Sequence, residues 1–135
     1  MHDPTLSTAS VSAAVQAIAD RLSGGSLDLY DGPKPTSPGE AADRPFLARI
    51  TLPSPAFVVG DVGSAELQGV PLSSLVVHTG DPTWARFSRP LRDGATAELD
   101  VTVGLADADP DLVIAARTLQ VGSLARIVSF SLGLG

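Results

Sequence analysis

The sequence predicts a mainly β fold: an antiparallel β-sandwich, jelly-roll or immunoglobulin-like, with one N-terminal α-helix. About seven to nine short segments alternate between apolar and polar residues, with turn signals every ~8–12 residues, as is typical of sandwiches and barrels. Only one segment, near the start, has the three- and four-residue apolar spacing of a helix. We therefore expect residues 1–25 to form a leader and helix, and residues 26–135 to form the β-sandwich domain.

Composition and charge exclude several classes of protein. The net charge is −6 and the basic residues are scattered singly, which is unlike the positive stripe of a nucleic-acid-binding protein. No run approaches the ~20 apolar residues of a membrane span, so no membrane partner is expected. The absence of cysteine excludes disulfides and thiolate metal sites. The N-terminus lacks the pattern of a signal peptide, so synthesis in the cytoplasm is the expectation.

The predicted helix spans residues 10–22 and follows a leader, residues 1–7, that we expect to be mobile. Its apolar residues form one stripe at helical spacing: Val11, Ala14, Val15, Ile18 and Leu22. Ser7 or Thr8 can cap its start, and Gly24 with Gly25 ends it. The stripe has two interpretations. It covers an open end of the β structure, or it is an arm whose Val11, Val15, Ile18 and Leu22 dock on a partner subunit.

Short strands fill the first half of the β region. Pro53 and Pro55 cannot donate ladder hydrogen bonds and predict a bend between two of these strands. The proline- and glycine-rich residues 34–43 have no periodicity and predict a loop. The predicted strands before residue 80 are 26–30, 45–52, 56–59, 64–68 and 74–78.

Residues 81–103 predict a long antiparallel hairpin around which the other strands are arranged. Its second arm alternates without interruption between Ala97, Leu99, Val101 and Val103 on a dry face and Thr96, Glu98, Asp100 and Thr102 on a wet face. Asp93 and Gly94 are typical turn residues. The first arm contains Trp84, the only tryptophan of the chain.

Three more strands are predicted after the hairpin, at residues 112–114, 118–121 and 124–132. In the last of them, strict alternation predicts one shared face for these residues: Leu124, Val128, Phe130 and Leu132. Arg126 interrupts that face, so we expect it at a sheet edge or paired with an acidic residue.

No arrangement of reactive side chains predicts an enzyme. The only histidines are His2 and His78, and no Gly-x-Ser-x-Gly motif accompanies them. Asp107, Asp109 and Asp111 have the spacing that opens a calcium-binding EF-hand loop. The glycine and glutamate that such a loop needs further on are replaced by Leu112 and Thr118. These three aspartates remain a weak candidate metal site, and we expect no cofactor.

Trp84 has two interpretations. An exposed tryptophan could serve as a stacking platform for a sugar, but carbohydrate-binding modules usually carry several such rings. The chain has one Trp, one Tyr and four Phe. An anchor in the core or in an interface is therefore the favoured role of Trp84.

Several short motifs, taken in order, resemble a family of small structural proteins of tailed phages and phage-like particles. The resemblance covers about residues 12–132. Its motifs are at residues 27–32, 46–52, 55–57, 83–86, 93–94, 101–104 and 128–132. Members typically begin with an alanine-rich helix that ends in glycines, followed by a strand with leucine, tyrosine, aspartate and glycine.

The resemblance implies a virion protein without catalytic residues: a capsid decoration protein, a head-spike base or a tail component. It implies as partners the major capsid protein or other virion subunits. The helical stripe adds the expectation of a homo-oligomer, for which a trimer is one form. The alternative function is a carbohydrate-binding or host-recognition module on a spike or tail.

Overall fold

The computed structural model describes residues 8–36, 40–42, 44–59, 64–92, 94 and 96–133, without the side chains of residues 8–12 and 133. The predicted leader, His2, the candidate cap Ser7 and the turn residue Asp93 lie outside this part. In chain order the helix and strands are α1 Thr8–Leu22, β1 Ser26–Tyr30, β2 Ala48–Thr51, β3 Phe57–Val59, β4 Ser64–Leu67, β5 Leu72–Leu75, β6 Trp84–Pro90, β7 Thr96–Gly104, β8 Leu112–Ile114 and β9 Leu124–Gly133. The predicted mainly β fold with one N-terminal helix is confirmed.

The strands form one curled sheet in the order β2-β1-β6-β7-β8-β9-β4-β3, with β5 also paired to β9. All of these pairs are antiparallel except β7 and β8, which are parallel. In that parallel pair only two residues of β7, Val103 and Gly104, pair with Leu112 and Val113 of β8. The connection between the strands therefore has to run back along only the last two residues of β7. The short 3-10 turn Ala106–Ala108 is enough for this return. At the far side, Ala48 of β2 bridges Val76, just after β5, so the sheet curls back on itself.

The predicted central hairpin is confirmed. β6 and β7 pair without a register shift from Trp84 opposite Thr102 to Pro90 opposite Thr96. The turn includes Gly94, whose positive φ of 88° suits glycine and whose N–H donates to the carbonyl oxygen of Leu91 at 3.1 Å. The other predicted strands are present, with shifted ends, except residues 118–121. There, only Leu119 pairs, through a single bridge to Gly80.

The helix packs against β3, β4, β6 and β7 and closes the core on that side. It ends where predicted, because the N–H of Gly25 turns back to the carbonyl oxygen of Leu22 at 3.0 Å. A Cβ atom at Gly25 would lie 2.3 Å from the carbonyl oxygen of Ser88, so only glycine fits between α1 and β6. In the described part of the chain, no helix has both the length and the apolar character needed to cross a membrane.

The predicted face of the last strand is wrong. Ile127, Phe130 and Leu132 are buried, whereas Leu124 and Val128 are exposed. The cause is a β-bulge: Val113 pairs with Ser129 and Ile114 with Ile127, so Val128 has no opposite residue on β8. One extra residue shifts the alternation. Before the bulge the odd-numbered Ile127 points inward, and after it the even-numbered Phe130 and Leu132 do.

Arg126 does not lie at the sheet edge. It stands opposite Ser73 of β5, and on its other side its carbonyl oxygen accepts the N–H of Ala115 at 3.1 Å. Its side chain is on the exposed face of β9.

Candidate docking surface

A row of alternating charges crosses the outer face of β2, β1, β6 and β7. The registers place Asp28 directly opposite both Arg49 and Arg86, and Arg86 directly opposite Asp100. Because residues opposite one another in adjacent strands share a face, the four side chains stand side by side. We call Arg49, Asp28, Arg86 and Asp100 the charged ladder.

Both arginines of the ladder bind a carboxylate through two hydrogen bonds. Arg49 donates to Asp28 at 2.8 and 2.9 Å, and Arg86 donates to Asp100 at 2.7 and 3.0 Å. The hydrogen bonds that Arg86 donates to Asp100 raise the pKa of Arg86, and those that Arg49 donates to Asp28 raise the pKa of Arg49. Charge-assisted pairs of this two-bond geometry are strong, and here they join β2 to β1 and β6 to β7.

The prediction that the acidic residues of β7 lie on a wet face is wrong. The side chain of Asp100 is only 3% exposed, and Glu98 lies beside it with Oε2 at 3.7 Å from Nε of Arg86. That Oε2 is buried and has no hydrogen-bond partner among the described residues. An acid on this face is therefore part of the packed structure rather than a solvated group.

Trp84 is an anchor within the chain. Its side chain is 2% exposed, and its ring stacks on Tyr30 with centroids 4.4 Å apart and planes 13° apart. The guanidinium of Arg86 lies 5.3 Å from the Trp84 ring. Burial, followed by the negative charge of Asp28, raises the pKa of Tyr30 above its ordinary value of 10.0. This burial leaves the Trp84 ring no open face for a sugar.

The helical stripe packs on the protein's own core. Val15 and Leu22 are fully buried, and Ile18 is partly buried against the same core. The side chain of Val11 lies outside the described part. The structure thus follows the first interpretation of the helix, in which it covers the β structure, and the predicted docking face is not available on it in this conformation.

The three aspartates of the candidate metal site do not converge. Asp109 has a left-handed backbone at the end of the 3-10 turn. Asp111 is bound to β7, where its carboxylate accepts the N–H of Thr102 and its own N–H donates to Oγ1 of Thr102, both at 3.0 Å. Among the described residues, no group of three His, Cys, Asp or Glu side chains could hold a metal ion.

His78 and one open cleft are two further features of the surface. His78 is exposed, and its Nδ1 lies 2.9 Å from the carbonyl oxygen of Phe46. An open cleft of about 400 Å³ lies next to Asp81, Thr83, Asp107 and Arg117. Its mixed charges and open shape do not favour one class of ligand.

A cluster of exposed aliphatic side chains lies where β5 and β9 begin to pair. Leu75 stands directly opposite Leu124, and Val77 follows Leu75 by two residues. The turn that carries Val121 is held against the end of β5. We call Leu75, Val77, Val121 and Leu124 the aliphatic patch, whose side chains are between 43% and 61% exposed.

Backbone hydrogen bonds fix the patch in place. The N–H of Val76 donates to the carbonyl oxygen of Ser123 at 2.9 Å, and the N–H of Gly122 donates to that of Val76 at 3.1 Å. The N–H of Val121 donates to Oγ1 of Thr79 at 3.1 Å. The apolar side chains are therefore presented by an ordered backbone, which lowers the entropic cost of docking.

The sequence contained only an ambiguous signal for this patch. Residues 74–78 carry apolar side chains on both faces, since Val76 alternates with Leu75 and Val77. Alternation alone could not decide which face would be buried. Strict alternation puts Leu124 on the same face as Phe130, because it does not allow for the bulge at Val128.

Comparison of the chain with protein-family models, with curated protein sequences and with solved structures gives no significant match.

Proposed function

We propose that the protein is a non-enzymatic structural protein of the virion of a tailed phage or phage-like particle. In this proposal it decorates the capsid by docking on the major capsid protein through the aliphatic patch. The exposed patch of Leu75, Val77, Val121 and Leu124 is the observation that supports docking. The resemblance of the sequence motifs to small phage structural proteins supports the virion as the place.

The patch suits a protein that binds in many copies. Four half-exposed aliphatic side chains present on the order of 300–400 Å² of apolar surface, which is about the size of the largest patch on a typical monomer. One such contact gives only weak binding. A decoration protein repeats the contact over the whole particle, and any self-association, for example as a trimer, links several weak contacts into a strong one.

The alternative of a carbohydrate-binding or host-recognition module receives less support. Such a module would need an exposed ring, and the Trp84 ring is buried between Tyr30 and Arg86. A glycan-array signal that is lost in Trp84→Phe but retained in Leu75→Ser would favour this alternative over capsid decoration.

The proposal is tested with capsid shells that were assembled from the major capsid protein without this protein. We expect the unmodified protein to co-sediment with the shells and the double variant L75S/L124S to bind at least about tenfold more weakly, because two central apolar contacts are lost. The matched control is V58S, which removes an equally exposed aliphatic side chain from β3, outside the patch.

Failure of the unmodified protein to bind the shells, or equal binding by L75S/L124S, would contradict the proposal. Sedimentation velocity of the free protein tests self-association separately.

A further inference from the structure

Arg126 is placed to extend the aliphatic patch. It lies on β9 between Leu124 and Val128, on the strand's exposed face, and opposite Ser73 of β5. Within the described part of the chain, no carboxylate oxygen lies within 4.0 Å of its guanidinium. This differs from Arg49 and Arg86, each of which holds a carboxylate with two hydrogen bonds.

A guanidinium in this position restricts what can cover the patch. A partner that buries the patch also removes water from Arg126, and an arginine that loses water without gaining an anion opposes binding. Arginine is nevertheless enriched in protein interfaces because its planar group can donate two parallel hydrogen bonds to one carboxylate. The partner should therefore supply an anionic group opposite Arg126.

A second copy of the chain that docks symmetrically on the patch does not supply that group. In a symmetric dimer the patch would face itself, which would bring one Arg126 towards the other. The polar side chains next to the patch in sequence carry no carboxylate: Ser73, Ser74, His78, Thr79, Gln120 and Ser123. An anionic membrane would supply negative charge, but it would repel a chain whose net charge is −6.

We propose that the partner presents an aliphatic protein surface with an aspartate or glutamate side chain that pairs with Arg126. This rests on the proposed docking function and names the chemistry of its partner. Arg126 and Val128, which are both exposed, enlarge the surface that such a partner can cover, although the whole remains smaller than the roughly 800 Å² per partner of a standard interface.

Carboxylate-directed cross-linking tests the pair on capsid shells. A water-soluble carbodiimide joins a lysine amine to a carboxylate that touches it, and Lys34 is the only lysine of the chain. In the variant K34R/R126K the only side-chain amine is therefore at position 126. We expect it to cross-link to the capsid protein, with the joined carboxylate identified by mass spectrometry. K34R and K34R/R92K are the controls, because Arg92 is an exposed residue of the β6–β7 connection.

Affinity gives an independent measurement. We expect R126M to bind the shells at least about tenfold more weakly than the unmodified protein, and R126E more weakly still, since each leaves the partner's carboxylate without a cation. We also expect R126M to lose most of the salt dependence of binding.

The outcomes separate the two proposals. If L75S/L124S loses binding while R126M binds normally and K34R/R126K gives no cross-link, the pairing is wrong and the docking function stands. A cross-link between two copies of this chain, or binding to phosphatidylserine vesicles that R126E abolishes, would also overturn the pairing. If the unmodified protein does not bind shells, both proposals fail.

Discussion

The charged ladder and the aliphatic patch are two outward faces that reverse the usual sorting of side chains. On the ladder, the charged and aromatic groups other than Arg49 are largely buried, and they find their partners within the chain. On the patch, aliphatic groups are exposed on an ordered backbone without a partner in the described chain. The ladder therefore holds the strands together, whereas the patch has surface to offer to another molecule.

The difference also shows why charge is a poor guide to function here. Six ionisable side chains gather on the ladder face, Tyr30 included, which is the arrangement often examined for catalysis. Each arginine donates hydrogen bonds to a carboxylate on the adjacent strand, and the Trp84 ring next to Arg86 is buried. The comparison between the two faces can be tested with four sets of variants.

The largest effect is expected for R86M. It leaves the carboxylate of Asp100 buried without its cation, which we expect to cost about 3–5 kcal/mol of unfolding free energy. Urea denaturation measures the loss. The matched control on the other face, R126M, should change stability by less than about 0.5 kcal/mol. The double variant R86M/D100L should recover part of the loss, and a loss below about 1 kcal/mol in R86M would contradict the role of the ladder.

A smaller loss is expected for R49M. Arg49 is about half exposed, so water screens its pair with Asp28, and Asp28 still faces Arg86 on the neighbouring strand. We expect a cost of about 1–2 kcal/mol in urea denaturation. If R49M destabilised the protein more than R86M, the ranking of the two ion pairs by burial would be wrong.

The ladder face should also show a pH dependence at high pH. The pKa of Tyr30 is raised, first by burial and then by Asp28, so the neutral phenol is the form that favours folding. Its contribution to stability is present below pH 10.0 and is lost as the pH rises through the higher pKa of the folded state. Absorbance at 295 nm reports this residue alone, because Tyr30 is the only tyrosine.

The variant D28N tests the causes of that shift. It should lower the pKa of Tyr30 only part of the way towards 10.0, since burial is the larger cause. A tyrosine that titrates at its ordinary value in the unmodified protein would show that the ring is open to water.

The smallest effect on stability is expected on the patch. L75S/L124S removes side chains that are already exposed, so its unfolding free energy should stay within about 0.5 kcal/mol per substitution of the unmodified value. Urea denaturation measures this. A loss of several kcal/mol would mean that the patch belongs to the core, and the loss of docking by this variant would then have to be tested with L75K instead.

The hairpin could be predicted from the sequence because its alternation is long and uninterrupted. A slip of one residue between Thr96 and Val103 would turn Val101 and Val103 outward, so the alternation fixes which face is inside. The helix could also be predicted, although its apolar stripe does not decide whether Val15 and Leu22 pack against the protein's own core or against a partner. That choice depends on the space between β3, β4, β6 and β7, which exists only in the folded sheet.

The burial of side chains on the two faces could not be predicted from the sequence, for different reasons. Alternation gives Glu98 and Asp100 their side of β7, but their burial depends on Arg86 from the neighbouring strand. On the patch, one inserted residue at Val128 decides that Leu124 is outside and Phe130 inside. A single-residue bulge leaves the local composition unchanged, so periodicity does not reveal it.

The position of β9 in the strand order has a consequence for how the protein is made. β9 is the last strand in the sequence, yet it is the partner of β4, β5 and β8. While the ribosome is still adding these residues, the β3–β4 and β5 segments have unfilled edges that could pair with other chains. Only the arrival of β9 removes these edges, so we expect the native sheet to form after β9 has left the ribosome, and slowly, because its contacts are distant in sequence.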